Sequence, residues 1–230
     1  AEESFFGAWF EQQGMEIFEL PRDIRFEGAG DAFFDPDRGC LWIAYGNRTE
    51  LSAHPLLAEI FEIEVVSLRL IDSRFYLPDT CFSLLANGML MYFPSAFDAE
   101  SRARIEARRP PEQRIEVEEG DALQFACNAI SIADRVVLNH AGPGLVSALA
   151  RVGLEAVPVP LTEFMKSGGA ARCLVLDLNP AVPQGTSASH RVVSREIGMH
   201  GHLLDRGLLE RALDISERSG GSFHVRQFDL

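Results

Sequence analysis

The sequence has no long apolar run. Unbroken stretches such as Met89-Leu90-Met91-Tyr92-Phe93 fall well short of the roughly 20 residues a membrane-spanning helix needs, so no membrane partner is expected. Positive charge is also scarce. The 21 Lys and Arg stand against 34 Asp and Glu, a formal charge of −13 at pH 7, which argues against nucleic acid as partner. Arg102, Arg104, Arg108 and Arg109 form the densest basic group, and acidic residues interrupt it. Arg108-Arg109 fall at the C-terminal end of an expected helix, where they complement its dipole on a solvated face.

Cysteine is sparse as well, at positions 40, 81, 127 and 173, with no CxxC pair and no His/Cys ligand spacing. This excludes a disulfide scaffold and predicts reduced thiols in a cytoplasmic setting. The six histidines, at 54, 140, 190, 200, 202 and 224, mark no metal site, and neither metal nor cofactor is expected. The chain opens Ala1-Glu2-Glu3-Ser4, without Met, a basic n-region or a long apolar h-region. That argues against an intact signal peptide and predicts that the encoded protein starts before Ala1.

Present instead is an ordinary globular composition, 47% hydrophobic and 24% charged over 230 residues, enough for one substantial core and a small appended unit. A repeat organises it. Gly28-Ala29-Gly30-Asp31-Ala32-Phe33-Phe34 turns at residues 35–39 into Cys40-Leu41-Trp42-Ile43-Ala44-Tyr45. Asp79-Thr80-Cys81-Phe82-Ser83-Leu84-Leu85 turns at Ala86-Asn87-Gly88 into residues 89–93, and Asn-Gly between apolar runs is a strong hairpin signal. Cys127-Asn128-Ala129-Ile130-Ser131-Ile132 leads into Arg135-Val136-Val137-Leu138, and Ala170-Ala171-Arg172-Cys173-Leu174-Val175-Leu176 opens a fourth segment as a strand. The starts near Asp31, Thr80, Asn128 and Cys173 are spaced by 49, 48 and 45 residues, a period expected of stacked or radially arranged units.

Between the hairpins, helical spacing predicts helices over 50–61, 99–107 and 142–152, with strands at 63–70, 114–117 and 155–159. The unit is ββαβ, used about four times. A chance repeat in an ordinary α/β protein is the alternative. If the strand starts face one axis, Asp31, Asp79, Asn128 and Cys173 approach one point. A linker at 181–190 and a small βαβ unit at 191–230 complete the expected organisation.

The chemistry-bearing candidates sit at those starts. The small-residue loop Lys166-Ser167-Gly168-Gly169-Ala170-Ala171-Arg172-Cys173 delivers a cysteine, which taken alone fits a buried apolar thiol as well as a nucleophile. Glu27 and Asp31 flank glycines, and Asp79 occupies the analogous place one unit on; each also fits a polar turn or cap. Carboxylates converging on a thiol suit a cationic substrate, because they pair well with a planar guanidinium.

Together Phe26-Glu27-Gly28-Ala29-Gly30-Asp31-Ala32, Tyr45-Gly46-Asn47-Arg48-Thr49-Glu50, Asp79-Thr80-Cys81-Phe82 and the loop from Glu163 to Cys173 resemble the amidinotransferase branch of the pentein superfamily. The likeness spans roughly residues 5–178, and the tail motifs Gly201-His202-Leu203-Leu204-Asp205 and Gly220-Gly221-Ser222-Phe223 tilt it toward the bacterial arginine dihydrolases. The resemblance implies a five-bladed α/β propeller, with residues 1–180 as a guanidine-modifying domain lacking its N-terminal blade. It implies Cys173 as nucleophile toward arginine or a related guanidino compound, Glu27 and Asp79 as grips on the guanidinium, Arg48 on the substrate carboxylate, and Asp31 among the binding residues. The outcome is ornithine, ammonia and carbon dioxide, with dimethylarginine hydrolysis or arginine deimination as alternatives. A homo-oligomer stays open. The family places its general acid/base histidine two residues before the Asp79 position, and this sequence has Leu77 there. A non-catalytic arginine-binding or regulatory module is therefore a further reading.

Overall fold

The structure, a computed structural model, describes residues 2–177. The expected linker at 181–190 and βαβ unit at 191–230 lie outside the described residues. After helix α1 (Glu2–Gln12) come three successive ββαβ units. The first is β1 (Ala32–Asp35), β2 (Cys40–Tyr45), α2 (Ala53–Phe61) and β3 (Glu64–Arg69). The second is β4 (Phe82–Leu84), β5 (Leu90–Tyr92), α3 (Ala99–Arg108) and β6 (Arg114–Glu116). Helix α4 (Glu119–Ala122) leads to the third: β7 (Ile130–Ile132), β8 (Arg135–Leu138), α5 (Pro143–Arg151) and β9 (Glu155–Pro158). A short α6 (Thr162–Met165) follows.

Each unit forms its own three-stranded sheet, and in each the middle strand pairs antiparallel with the strand before it and parallel with the strand after it. Trp42, for example, lies opposite Phe33 on one side and Val66 on the other. The antiparallel step needs only a tight turn, whereas the parallel step requires a crossover, which the helix supplies. At Asn87-Gly88 the turn uses a glycine at φ +79, and Leu85 N–H closes it onto the Met89 carbonyl at 2.8 Å. Helix α3 starts where Asp98 Oδ1 accepts the Ser101 N–H at 2.8 Å, a cap worth about 1 kcal/mol.

Strand β2 is apolar throughout because it is covered on both faces. Cys40, Trp42 and Ala44 join a core shared by all three sheets, which includes Phe82, Leu90, Tyr92, Val136 and Leu138. Leu41 and Ile43 point the other way, against Ala53 and Leu57 of α2.

Two expectations are corrected. Arg109 does not lie on a solvated face: it is only 2% exposed. Its Nη2 donates to both carboxylate oxygens of buried Asp35, at 2.5 and 2.6 Å, and its Nη1 to the Gly88 carbonyl at 2.5 Å. Trp42 Nε1 donates to the same carboxylate at 2.8 Å. Arg109 follows the last turn of α3 in extended backbone, so its side chain leaves the helix surface and reaches inward between the hairpin turns of the first two sheets. Helix-end position gave the charge a solvated role because it ignored a carboxylate far away in sequence.

The second correction concerns residues 170–176. Arg172–Leu174 form a 3-10 turn, and Leu174, Val175 and Leu176 stay half-exposed without a partner strand among the described residues. The described sheets therefore number three, where about four units were expected.

Removing one member of the Arg109–Asp35 pair leaves the other charge buried. Arg109→Met and Asp35→Asn should each lower unfolding free energy by about 3–5 kcal/mol in urea titrations, and the double variant should recover much of the loss. Single losses under about 1 kcal/mol would contradict the buried pair.

Candidate active site

The polar residues ahead of each unit are stitched together by hydrogen bonds. Asp79 N–H donates to the Gly30 carbonyl at 3.2 Å, Asn128 Nδ2 to the Asp79 carbonyl at 3.2 Å, and Arg172 N–H to the Asn128 carbonyl at 3.2 Å. Positions 30, 79, 128 and 172 are thus neighbours in space, one from each unit start. Burial of these short segments demands such bonds, because their main-chain groups have left the sheet ladders. The 3-10 turn at Cys173 has the same origin: Asn128 takes the main-chain groups that a strand would otherwise pair.

Cys173 sits at the surface, while Cys40, Cys81 and Cys127 are buried. Burial pushes the Cys40 thiol up to about 12 and raises Cys81 and Cys127 as well, so these three are inert core sulfurs. Cys173 Sγ donates to Asp79 Oδ2 at 3.3 Å and accepts from Asn128 Nδ2 at 3.1 Å. Its thiol is raised above the ordinary value, first by partial desolvation and then by the Asp79 charge, with the Asn128 hydrogen bond opposing both. Ionisation of the resting sulfur is therefore disfavoured, and further positive charge at the site would promote it.

Two carboxyls behind it share this character. Asp79 and Asp31 are 3% and 2% exposed, and each keeps one oxygen without a hydrogen-bond partner, Oδ1 of Asp79 and Oδ2 of Asp31. Burial raises both to about 6; the Thr49 hydrogen bond resists the rise at Asp31, and the Cys173 hydrogen bond resists it at Asp79. The charge of Glu27 adds to both. Glu27 itself is exposed, anchored by its N–H to Thr49 Oγ1 at 3.0 Å, with Oε2 3.7 Å from Arg48 Nη1. Arg48 also stands over the Tyr76 ring at 5.7 Å, and the Tyr76 hydroxyl donates to the Gly168 carbonyl in the cysteine loop.

Of the residues singled out in the sequence, Cys173 and Asp79 are in direct contact, Asp31 and Glu27 act on Asp79 or each other through charge, and Arg48 is held by Glu27. Leu77 is 7% exposed and extended, as a residue before proline prefers, and its Cδ1 lies 2.9 Å from where a Cβ on Gly30 would stand. It fills this corner of the site with hydrocarbon. Sequence reasoning placed Asn128 near the axis without a role, and passed over Tyr76 and Arg172. An amide inside the apolar run Ala126-Cys127-Asn128-Ala129-Ile130 was the available signal. Arg172 lies over Phe33 at 4.5 Å, placing a cation beside Asp79 and Cys173. Among the described residues no group of three or more His, Cys, Asp or Glu is placed to hold a metal ion, and no helix is long and apolar enough to cross a membrane.

Fold and site together define an α/β protein of repeated ββαβ units with an accessible thiol set among carboxylates. The chain belongs to the N,N-dimethylarginine dimethylhydrolase family, whose eukaryotic model matches residues 10–179. A second model, described as the LOR/SDH bifunctional enzyme conserved region, matches residues 194–230. The bifunctional arginine dihydrolase/ornithine cyclodeaminase ArgZ of Synechocystis sp. is 50% identical over 229 residues, covering 100% of this chain and 32% of that protein. The N(G),N(G)-dimethylarginine dimethylaminohydrolase of Mycobacterium tuberculosis is 36% identical over 154 residues, covering 67% of this chain and 50% of that one. The N-terminal domain of ArgZ, solved covalently bound to a reaction intermediate, superposes with a TM-score of 0.76 at 52% identity, covering 79% of this chain and 67% of that one. The chain spans about a third of the length of the bifunctional curated relatives it matches.

Because the folded Asp31 carboxyl titrates near 6 and an ordinary one near 3.8, its ionisation opposes folding. That cost is fully present above about pH 6 and disappears as pH falls toward 4. Asp31→Asn should therefore raise stability by about 1–3 kcal/mol at pH 7.5, with the gain vanishing near pH 4. A pH-independent gain, or a loss at pH 7.5, would show that Asp31 is not held as described.

Proposed function

We propose that this chain hydrolyses the guanidino group of arginine through a covalent adduct on Cys173, in the manner of an arginine dihydrolase. The observation that carries this reading is the accessible Cys173 thiol held 3.3 Å from buried Asp79, with Asp31 and Glu27 adding negative charge. Such a site is built for a planar cation. The capture of a covalent intermediate on the ArgZ domain supports it further.

In this reading the guanidinium takes the free Asp79 Oδ1 and the Glu27 carboxylate, which places its carbon over sulfur. Arg48 exchanges its Glu27 contact for the substrate carboxylate, and Asp31 stays as buried charge behind the site. An arriving cation favours ionisation of both Cys173 and the carboxyls, so the substrate itself helps to form the nucleophile. Sulfur bonds to the guanidinium carbon, a carbon–nitrogen bond breaks, and the thiol proton leaves with ammonia. Asp79, already accepting that proton, is the base in contact with it. Water then displaces sulfur to give the ureido product. A second cycle on that carbon releases the second ammonia with carbon dioxide and leaves ornithine.

The same proposal takes the three sheets as blades of a five-bladed propeller and residues 1–180 as the guanidine-modifying domain, followed by the linker at 181–190 and the unit at 191–230. It sets the reaction in the cytoplasm, where Cys173 remains a free thiol. One observation favours a second reading. Leu77 can neither protonate ammonia nor activate water, and a general acid/base is typically worth about 10²- to 10⁴-fold. On that reading the chain binds arginine without turning it over.

Incubation with arginine, with ornithine, citrulline and ammonia assayed in parallel, separates the outcomes. Ornithine with ammonia supports the dihydrolase, and citrulline alone supports deimination. Calorimetric binding without product from arginine or dimethylarginine supports the binding module. Leu77→His should raise turnover at least about tenfold. Absence of both arginine binding and product would overturn the proposal.

A further inference from the structure

Asn128 is completely buried and makes four side-chain hydrogen bonds. Its Oδ1 accepts from the main-chain N–H groups of Ala170 at 3.0 Å and Cys173 at 3.2 Å. Its Nδ2 donates to the Asp79 carbonyl at 3.2 Å and to Cys173 Sγ at 3.1 Å. An amide side chain offers two N–H groups and two lone pairs, so its capacity is used in full. The amide orientation follows from chemistry, because main-chain N–H groups only donate and must face the oxygen. The NH₂ must then face sulfur and the Asp79 carbonyl.

The loop leaves little slack around this contact. A Cβ on Gly169 would stand 2.9 Å from Cys173 Cβ, so the chain folds back closely on the cysteine it presents. Asn128 therefore fixes the loop at both Ala170 and Cys173, fixes the Asp79 turn, and directs an N–H at the sulfur. Asp79 acts on the same sulfur in the opposite sense, as an anion that disfavours a second negative charge. We infer that Asn128 is the positioning residue of the nucleophile: it holds Cys173 against Asp79 and stabilises the thiolate by donating to Sγ. This rests on the reading of Cys173 as nucleophile, which Asn128 serves without touching the substrate.

A role confined to folding would leave the ionisation of Cys173 unchanged. The alkylation rate of Cys173 by iodoacetamide, followed by peptide mass spectrometry from about pH 6 to about pH 11, reads that ionisation without any substrate. Asn128→Ala should move the midpoint upward by about one pH unit or more, making alkylation about tenfold slower at pH 8 than the loop's accessibility predicts. Asn128→Asp keeps an acceptor for the two amides but loses both donors, and should move the midpoint at least as far. Midpoints equal to that of the unaltered protein in folded variants would overturn the inference.

Should either variant fail to fold, the unaltered protein still decides the matter. The side-chain N–H resonances of Asn128, in a sample labelled with ¹⁵N-asparagine, should titrate with the Cys173 midpoint and cease to do so once the thiol is blocked. Resonances indifferent to the thiol would overturn it. Failure of the arginine reading is distinguishable: it would appear as absent binding and product, with the alkylation midpoint still dependent on Asn128. Where arginine is turned over, Asn128→Ala should lower kcat with little change in KM.

Discussion

A thiol donating to a buried carboxylate is the contact around which this molecule is arranged. Cys173 and Asp79 are separated by 94 positions in the chain, yet sulfur and oxygen lie 3.3 Å apart. Burial and the Asp79 charge make Cys173 harder to ionise, and burial raises Asp79 to about 6 although the hydrogen bond from Cys173 opposes that rise. With Asp31 also held up to about 6, the site accumulates groups whose charge is expensive until a cation enters. In the proposed reading, that unmet demand favours a guanidinium over a neutral amide.

The fold pays the cost elsewhere. Three sheets share one apolar core through Trp42, Phe82, Tyr92 and Leu138, and the Arg109–Asp35 pair binds the turns of the first two. Hydrogen bonds then run from Gly30 to Asp79, Asn128 and Arg172, so each unit delivers its polar start to the same place. Repetition is the economical route to such convergence: one ββαβ design, used again, presents an equivalent position each time.

Much of this was legible in the sequence because it depends on local pattern. The repeat period, the Asn87-Gly88 turn, and the helices observed at Ala53–Phe61, Ala99–Arg108 and Pro143–Arg151 all follow from apolar spacing and turn chemistry. The candidates Asp79 and Cys173 emerged because they stand at equivalent points of the repeat. What local pattern could not supply was long-range pairing. Arg109 looked solvated because its partner, Asp35, lies 74 positions away. The segment 170–176 looked like a strand because nothing local reveals that Asn128, 45 positions before Cys173, takes the main-chain N–H groups of Ala170, Arg172 and Cys173. Arg48 looked free for a substrate, and its contacts with Glu27 and Tyr76 appear only in three dimensions.

In the proposed reading, leucine at position 77 is what sets binding apart from turnover. The carboxylates and the thiol are in place, while the corner over Gly30 holds hydrocarbon. On the proposed function, the carboxylates around Cys173 recruit a planar cation to the sulfur. Alkylation of Cys173 by an amidinium-bearing haloacetamidine, compared with the neutral haloacetamide of the same size, tests it most directly. The cationic reagent should react at least about tenfold faster once intrinsic reactivity is corrected for, the preference should fade below about pH 6, and arginine should protect. Equal corrected rates for the two reagents, with no protection by arginine, would contradict it.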